Sequence, residues 1–138
     1  MDARALSSKI SVAPQITADD VAKAKAAGFR AIICNRPDGE GADQPAFAEI
    51  AAAAKKAGLE TRYLPIVSGK VSDDDATDFG KALIELPGPV LAYCRTGTRS
   101  ATLWSLAMAG DKPLPDILQA AKGAGYDMAG VVRRIANG

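Results

Sequence analysis

The chain has no histidine among its 138 residues. That absence excludes Ser-His-Asp and Cys-His catalysis and every metal site built on imidazole. Cysteine is scarce as well: Cys34 and Cys94 stand alone. Two cysteines make neither a secreted disulfide framework nor a thiolate metal cage, so no metal and no cofactor is expected. No apolar run approaches the roughly 18 residues of a membrane span, and the opening MDARALSSKISVAPQ lacks the apolar stretch of a leader. An excess of charge of either sign is also missing. With 17 basic and 16 acidic residues, the composition offers no electrostatic grip on nucleic acid or anionic lipid. The expectation is a cytoplasmic protein of a reducing compartment, with no nucleic-acid or membrane partner. Its length suits one domain over residues 1–138.

Without histidine, a nucleophile has to be activated by backbone dipoles and arginines. The stretch VLAYCRTGTRS (90–100) supplies both. Its first four residues are an apolar run that reads as a buried strand. Cys94 follows, then a polar loop holding Gly97, then a helical pattern. Strand, tight loop and helix start together aim several N–H groups and the positive end of a helix dipole at one point. Arg95 and Arg99 add full charges. This setting predicts a Cys94 thiolate near neutral pH, acting as nucleophile. The plainer alternative is a buried structural cysteine, which the polar, arginine-flanked loop argues against.

The remaining pattern alternates. Residues 9–12, at a possible sheet edge, 29–34 and 60–64, the latter taken as internal, are expected strands beside 90–93. Helices are expected over 17–27, 45–57, 72–86, 98–109, 115–124 and 128–136. Thr17 and Ser72 are placed to cap, each with acids in the first turn, so the Asp73-Asp74-Asp75 cluster reads as a helix start. The pattern predicts an α/β fold with a central, mostly parallel sheet of four or five strands flanked by helices. The polar loop NRPDGE (35–40) then falls at the C-terminal sheet edge, where ligands bind in such folds. Its structural alternative is a solvated turn. Arg36 and Asp38 are the candidate anion-binding residues there. Cys34, ending an apolar run, reads as packing, with a resolving thiol for Cys94 as the alternative.

CRTGTRS resembles the active-site loop of cysteine enzymes that bind oxyanions or carry a persulfide. Protein tyrosine and dual-specificity phosphatases place five residues between Cys and Arg. Here there are four, Arg95, Thr96, Gly97 and Thr98, the spacing of rhodanese-type sulfurtransferases. QITADDVAKAKAAGFRAIICN (15–35) and YLPIV (63–67) nevertheless resemble the first helix–strand unit and the Tyr-x-x-Ile-Pro segment of dual-specificity phosphatases. APQI (13–16), NRPDGE (35–40), DQP (43–45) and LPGPVLAYCRTGTRSATLW (86–104) are together similar to the phosphatase-like domain of the beta-lactamase-hydrolase-like proteins. The resemblance implies a dual-specificity/tyrosine-phosphatase-like fold. For members fused to a hydrolase it implies persulfide chemistry beside a sulfur dioxygenase, which here would be a partner in trans. Phosphatases carry a general-acid Asp just after the Ile-Pro segment; Val67-Ser68-Gly69-Lys70 has none, leaving Asp38 as a possible substitute.

Three readings follow. The first is a sulfurtransferase in which Cys94 takes sulfur from a small anionic donor, thiosulfate or a persulfide, and passes it to a thiol acceptor. Arg99 and Ser100 complete the catalytic set, with Ser100 or Thr98 bonding the thiolate. Arg95, Thr96, Gly97, Thr98, Arg36 and Asp38 form the anion-binding set. The second keeps the site and makes it a cysteine phosphatase acting on a phosphoester through phosphocysteine. The third is a weakly active anion-binding or redox-sensing module.

Overall fold

The tetrapeptides ISVA, AIIC and VLAY are apolar at nearly every position and become strands buried on both faces: β2 (Ile10–Ala13), β3 (Ala31–Cys34) and β5 (Val90–Tyr93). The computed structural model describes residues 1–137. Two further strands are β1 (Arg4–Ala5) and β4 (Glu60–Tyr63). The order across the sheet is β1-β2-β5-β3-β4. β1 pairs antiparallel and the other neighbours pair parallel. Two edge expectations change. The two-residue β1 covers β2, so β2 is internal. β4 is the outer strand, and its sequence ETRY, with Glu60 exposed and the rest half-buried, suits an edge.

Last in sequence among the strands, β5 lies in the middle, with β2 on one side and β3 on the other. The chain therefore reverses its direction of advance across the sheet here, opening a crevice at the strand C-termini. That crevice lies directly beyond Tyr93.

Pleating sorts the side chains into two layers. Leu91, Tyr93, Ile32 and Cys34 face α1 (Ala18–Ala26) and α2 (Phe47–Ala57). Val90, Ala92, Ile33 and Val12 face the larger core. That core is closed by α3 (Asp73–Glu85), α4 (Thr98–Ala107), α5 (Leu114–Gly123) and α6 (Ala129–Ala136). The capping expectations hold: Thr17 and Ser72 each form a reciprocal box, with Asp20 and Asp75. Among the described residues no helix is long and apolar enough to cross a membrane.

Trp104, the sole tryptophan, is 1% exposed and packs in the larger core from α4, the helix that begins at the cysteine loop. Trp104→Ala is expected to cost about 3–5 kcal/mol, and Trp104→Phe less, as measured by urea unfolding followed by circular dichroism. An alanine variant within about 1 kcal/mol of the parent, by the scale expected for such truncations, would remove Trp104 from the α4 anchor.

Candidate active site

Cys94 leaves the sheet under backbone constraint from both neighbours. Its N–H donates to the Ala13 carbonyl at 3.3 Å, and on the other side the Asn35 N–H donates to the Tyr93 carbonyl at 2.8 Å. The Gln15 N–H donates to the Arg95 carbonyl at 3.2 Å. The loop then turns at Gly97, where φ is 92°, and α4 begins with Thr98. The Gly97 N–H donates to Cys94 Sγ at 3.1 Å, and Cys94 is fully buried. The sulfur thus sits beneath an amide at a helix N-terminus, a position that favours negative charge.

Gly97 is required twice. Its φ lies in the left-handed region, and a Cβ there would run into the hydroxyl and ring of Tyr126. Tyr126, between α5 and α6, donates its hydroxyl to the Thr96 carbonyl at 3.1 Å. It clasps the loop from outside, and no motif in the sequence marks it.

Arg99 turns back from the first turn of α4 and is 8% exposed. Its Nη1 donates to Glu40 Oε2 at 2.6 Å and to the Ile66 carbonyl at 2.8 Å, and its Nη2 donates to Glu40 Oε1 at 2.9 Å. This is a two-pronged guanidinium–carboxylate pair, the geometry that fixes an arginine most firmly. Arg36 holds the same carboxylate from behind: its Nε donates to Glu40 Oε1 at 3.0 Å and its Nη1 to Gln15 Oε1 at 3.1 Å. With Arg99 the main cause and Arg36 adding to it, the Glu40 carboxyl is held down to about 2. It is a permanent anion. The pairing with Glu40 correspondingly raises Arg99, with the nearby Cys94 acting in the same direction.

The expected anion set divides in the structure. Arg95, Thr96 and Thr98 sit beside Arg99 on a cleft of about 540 Å³. Thr96 and Thr98 bond each other at 3.0 Å. Arg36 and Asp38 lie elsewhere. Arg36 is buried behind Glu40, and Asp38 Oδ1 accepts the Phe47 N–H at 2.8 Å, capping α2. Ser100 does not bond the sulfur; its hydroxyl donates to Asn35 Oδ1 at 2.8 Å, both side chains being fully buried. Asn35 in turn donates from Nδ2 to the Leu64 carbonyl. The Ser100–Asn35 bond ties the start of α4 to the end of β3 and so sets the aim of the helix. Glu40, Asn35, Tyr126 and Arg134, which reaches the cleft from α6, lie outside the expected set. Asn35 and Glu40 are visible in NRPDGE but without a partner; Tyr126 and Arg134 carry no sequence signal of their own.

Cys34 and Tyr93 are register partners on adjacent strands. Both face the α1–α2 layer, and Cys94 follows directly after β5. Cys34 donates its thiol to the Arg36 carbonyl at 3.3 Å, and burial pushes that thiol up from its ordinary range. Both thiols are free and buried.

The family model for the phosphatase-like domain of beta-lactamase hydrolase-like protein matches residues 2–111. The chain is 33% identical over 135 residues to the beta-lactamase hydrolase-like protein of Agrobacterium fabrum strain C58, covering 96% of this chain and 31% of that one. The chain thus spans about a third or less of the length of the curated relatives it matches. A crystal structure of a candidate phosphatase from Neisseria meningitidis Z2491 superposes with a TM-score of 0.89 at 33% identity, covering 99% of this chain and 98% of that one. Tk-PTP in its active form has a TM-score of 0.74 at 16% identity, over 99% and 94% of the two chains, and so shares the fold. The architecture is that of the dual-specificity and tyrosine phosphatases. By sequence and fold alike, the chain belongs to the phosphatase-like domain family of the beta-lactamase hydrolase-like proteins.

Proposed function

We propose that the whole chain works as one cysteine-dependent phosphatase-like unit that hydrolyses a small phosphorylated substrate through a phosphocysteine intermediate. The observation that carries this reading is Cys94 Sγ held under the Gly97 amide at the start of α4, with the Arg99 fork in the same pocket. In the first step the sulfur attacks phosphorus, an S–P bond forms, and the P–O bond to the leaving group breaks with its electron pair staying on oxygen. Arg99 and the loop amides carry the charge on the equatorial oxygens, which change little in position as the bond is exchanged. Water then attacks the phosphocysteine, the S–P bond breaks, and the thiolate returns as phosphate leaves. Asn35, Ser100, Glu40 and Arg36 touch no substrate; they keep α4 and the Arg99 fork in place.

The sulfurtransferase reading is kept second, because one observation favours it. Only four residues separate Cys94 from Arg99, giving a small loop. The family and structural neighbours support the phosphatase reading better. An intact-mass measurement separates them: a gain of phosphate from p-nitrophenyl phosphate supports the first, a gain of one sulfur from thiosulfate supports the second. Tight anion binding with turnover of neither leaves the binding or redox-sensing module.

Cys94→Ser is expected to lower p-nitrophenyl phosphate hydrolysis on the order of 10³-fold or more, with the circular dichroism spectrum unchanged. Arg99→Lys is expected to reduce kcat roughly 10²–10³-fold, since an ammonium cannot reproduce the fork, and Arg95→Lys less than about tenfold. Equal effects of the two lysine variants would contradict this division of roles between the arginines.

Glu40→Gln removes the anion that aims Arg99 and is expected to lower kcat roughly 10²-fold through misplacement. It also has an acid signature. The folded carboxyl sits at about 2, below the usual glutamate range. The unfolded chain therefore takes up this proton first as pH falls. Stability from this group is present at neutral pH and is lost as pH drops from the usual glutamate range towards 2. Urea midpoints measured across that window are expected to fall more steeply for the parent than for Glu40→Gln; identical slopes would contradict the ion pair.

A further inference from the structure

The cleft in front of the cysteine loop carries three arginines, Arg95, Arg99 and Arg134, and the hydroxyls of Ser68, Thr96 and Thr102. Among the described residues no carboxylate lines it. The nearby acids are each committed elsewhere. Glu40 is a permanent anion between Arg36 and Arg99. Asp38 caps α2. Asp73 is held by Arg134 at 2.9 Å and lines the adjoining groove of about 980 Å³ between α3, α4 and α6, a groove that Arg134 also lines. Among the described residues, no carboxylate on the cleft is free to hand a proton to a departing oxygen.

Cation density, by contrast, extends past the reacting centre. Arg134 donates to the Val71 carbonyl at 3.0 Å and to Asp73, which fixes it on the cleft that Arg95 and Thr96 also line. Arg95 is exposed and enters no ion pair among the described residues. In phosphoryl transfer the bond to the leaving oxygen is largely broken at the transition state, so charge collects there. An alkoxide needs a proton at that moment. A phosphate leaving group does not, and cationic side chains hold the charge it brings.

We infer that the substrate is a phosphoanhydride, whose leaving group departs unprotonated as an anion gripped by Arg134 and Arg95; this rests on the phosphatase reading of Cys94. The S–P bond forms, the P–O–P bridge breaks with its electron pair on the departing phosphate, and no proton moves in that step. The acid usually worth roughly 10²–10⁴-fold is dispensable for such a leaving group and missed for a poor one such as an alkoxide.

The test is kcat/KM, which reports the first irreversible step, measured with the full chain and its Cys94→Ser variant. The probes are 2,4-dinitrophenyl, p-nitrophenyl and phenyl phosphate, glycerol phosphate, inorganic pyrophosphate and tripolyphosphate. The expected result is a steep fall, roughly 10²–10⁴-fold from dinitrophenyl to phenyl phosphate, with glycerol phosphate below it. Pyrophosphate or tripolyphosphate is expected at least about tenfold above p-nitrophenyl phosphate, with that ratio reduced in Arg134→Gln. Dinitrophenyl and phenyl phosphate within about threefold of each other would reveal an acid and overturn the inference while leaving the phosphatase reading intact. So would a polyphosphate rate no better than that of p-nitrophenyl phosphate. Absence of Cys94-dependent turnover on every probe would overturn the phosphatase reading itself.

Discussion

One carboxylate holds this site in shape. Glu40 accepts both prongs of Arg99 and, from the other side, the Nε of Arg36. Both arginine side chains are more than nine-tenths buried, so neither has water to fall back on if the anion is lost. Removing one partner of a buried pair is much more damaging than never having built it, because a bare charge is left in low dielectric. Two cations against one anion leave a net positive charge on the side that meets the cysteine loop. The network is thus both a scaffold and an incomplete charge balance, which on the proposed reading an incoming anion completes.

The fold delivers the two halves of that network to one place. NRPDGE follows β3 and the cysteine loop follows β5, and these strands are neighbours. A loop between unpaired strands would be mobile. Here the strand before Cys94 has hydrogen-bonded neighbours on both sides, and the helix after it is tied by the Ser100–Asn35 bond and by Trp104 in the core. The loop's two ends are therefore set by the most buried parts of the chain.

Much of this is legible in the sequence, for physical reasons. β3 and β5 are continuous apolar runs bounded by turn residues, and α1 and α3 announce themselves by a capping Thr or Ser three residues ahead of an Asp. Such local signals survive in sequence. The Cys94–Arg99 loop is equally plain, because its chemistry depends on spacing along the chain. Glu40 is harder: a carboxylate in a Pro-Asp-Gly turn looks solvated until a residue far along the chain folds onto it. Ser100 misleads for the same reason, since its proximity in sequence to Cys94 hides its bond to Asn35. The edge position of β4 is written in ETRY but outweighed by its place in the strand count. Tyr126 and Arg134 have no periodicity or motif to reveal them, because their roles exist only once α5 and α6 pack beside α4.

Tyr126 and Arg134 also lie beyond residue 111, where the match to the family model stops. Cys94, Arg99 and the residues that hold them in place, Asn35 and Ser100 among them, fall inside it. On the proposed reading, the nucleophile and one wall of its cleft are therefore written on different stretches of the chain. Cleft-facing positions of the closing segment, Arg134 among them, can change without touching the sulfur, so long as the core contacts of Ile117, Ala121 and Met128 are kept. Relatives that share the cysteine loop need not share a substrate. In this architecture the tail of the domain is the part on which selection can act to retarget an unchanged nucleophile.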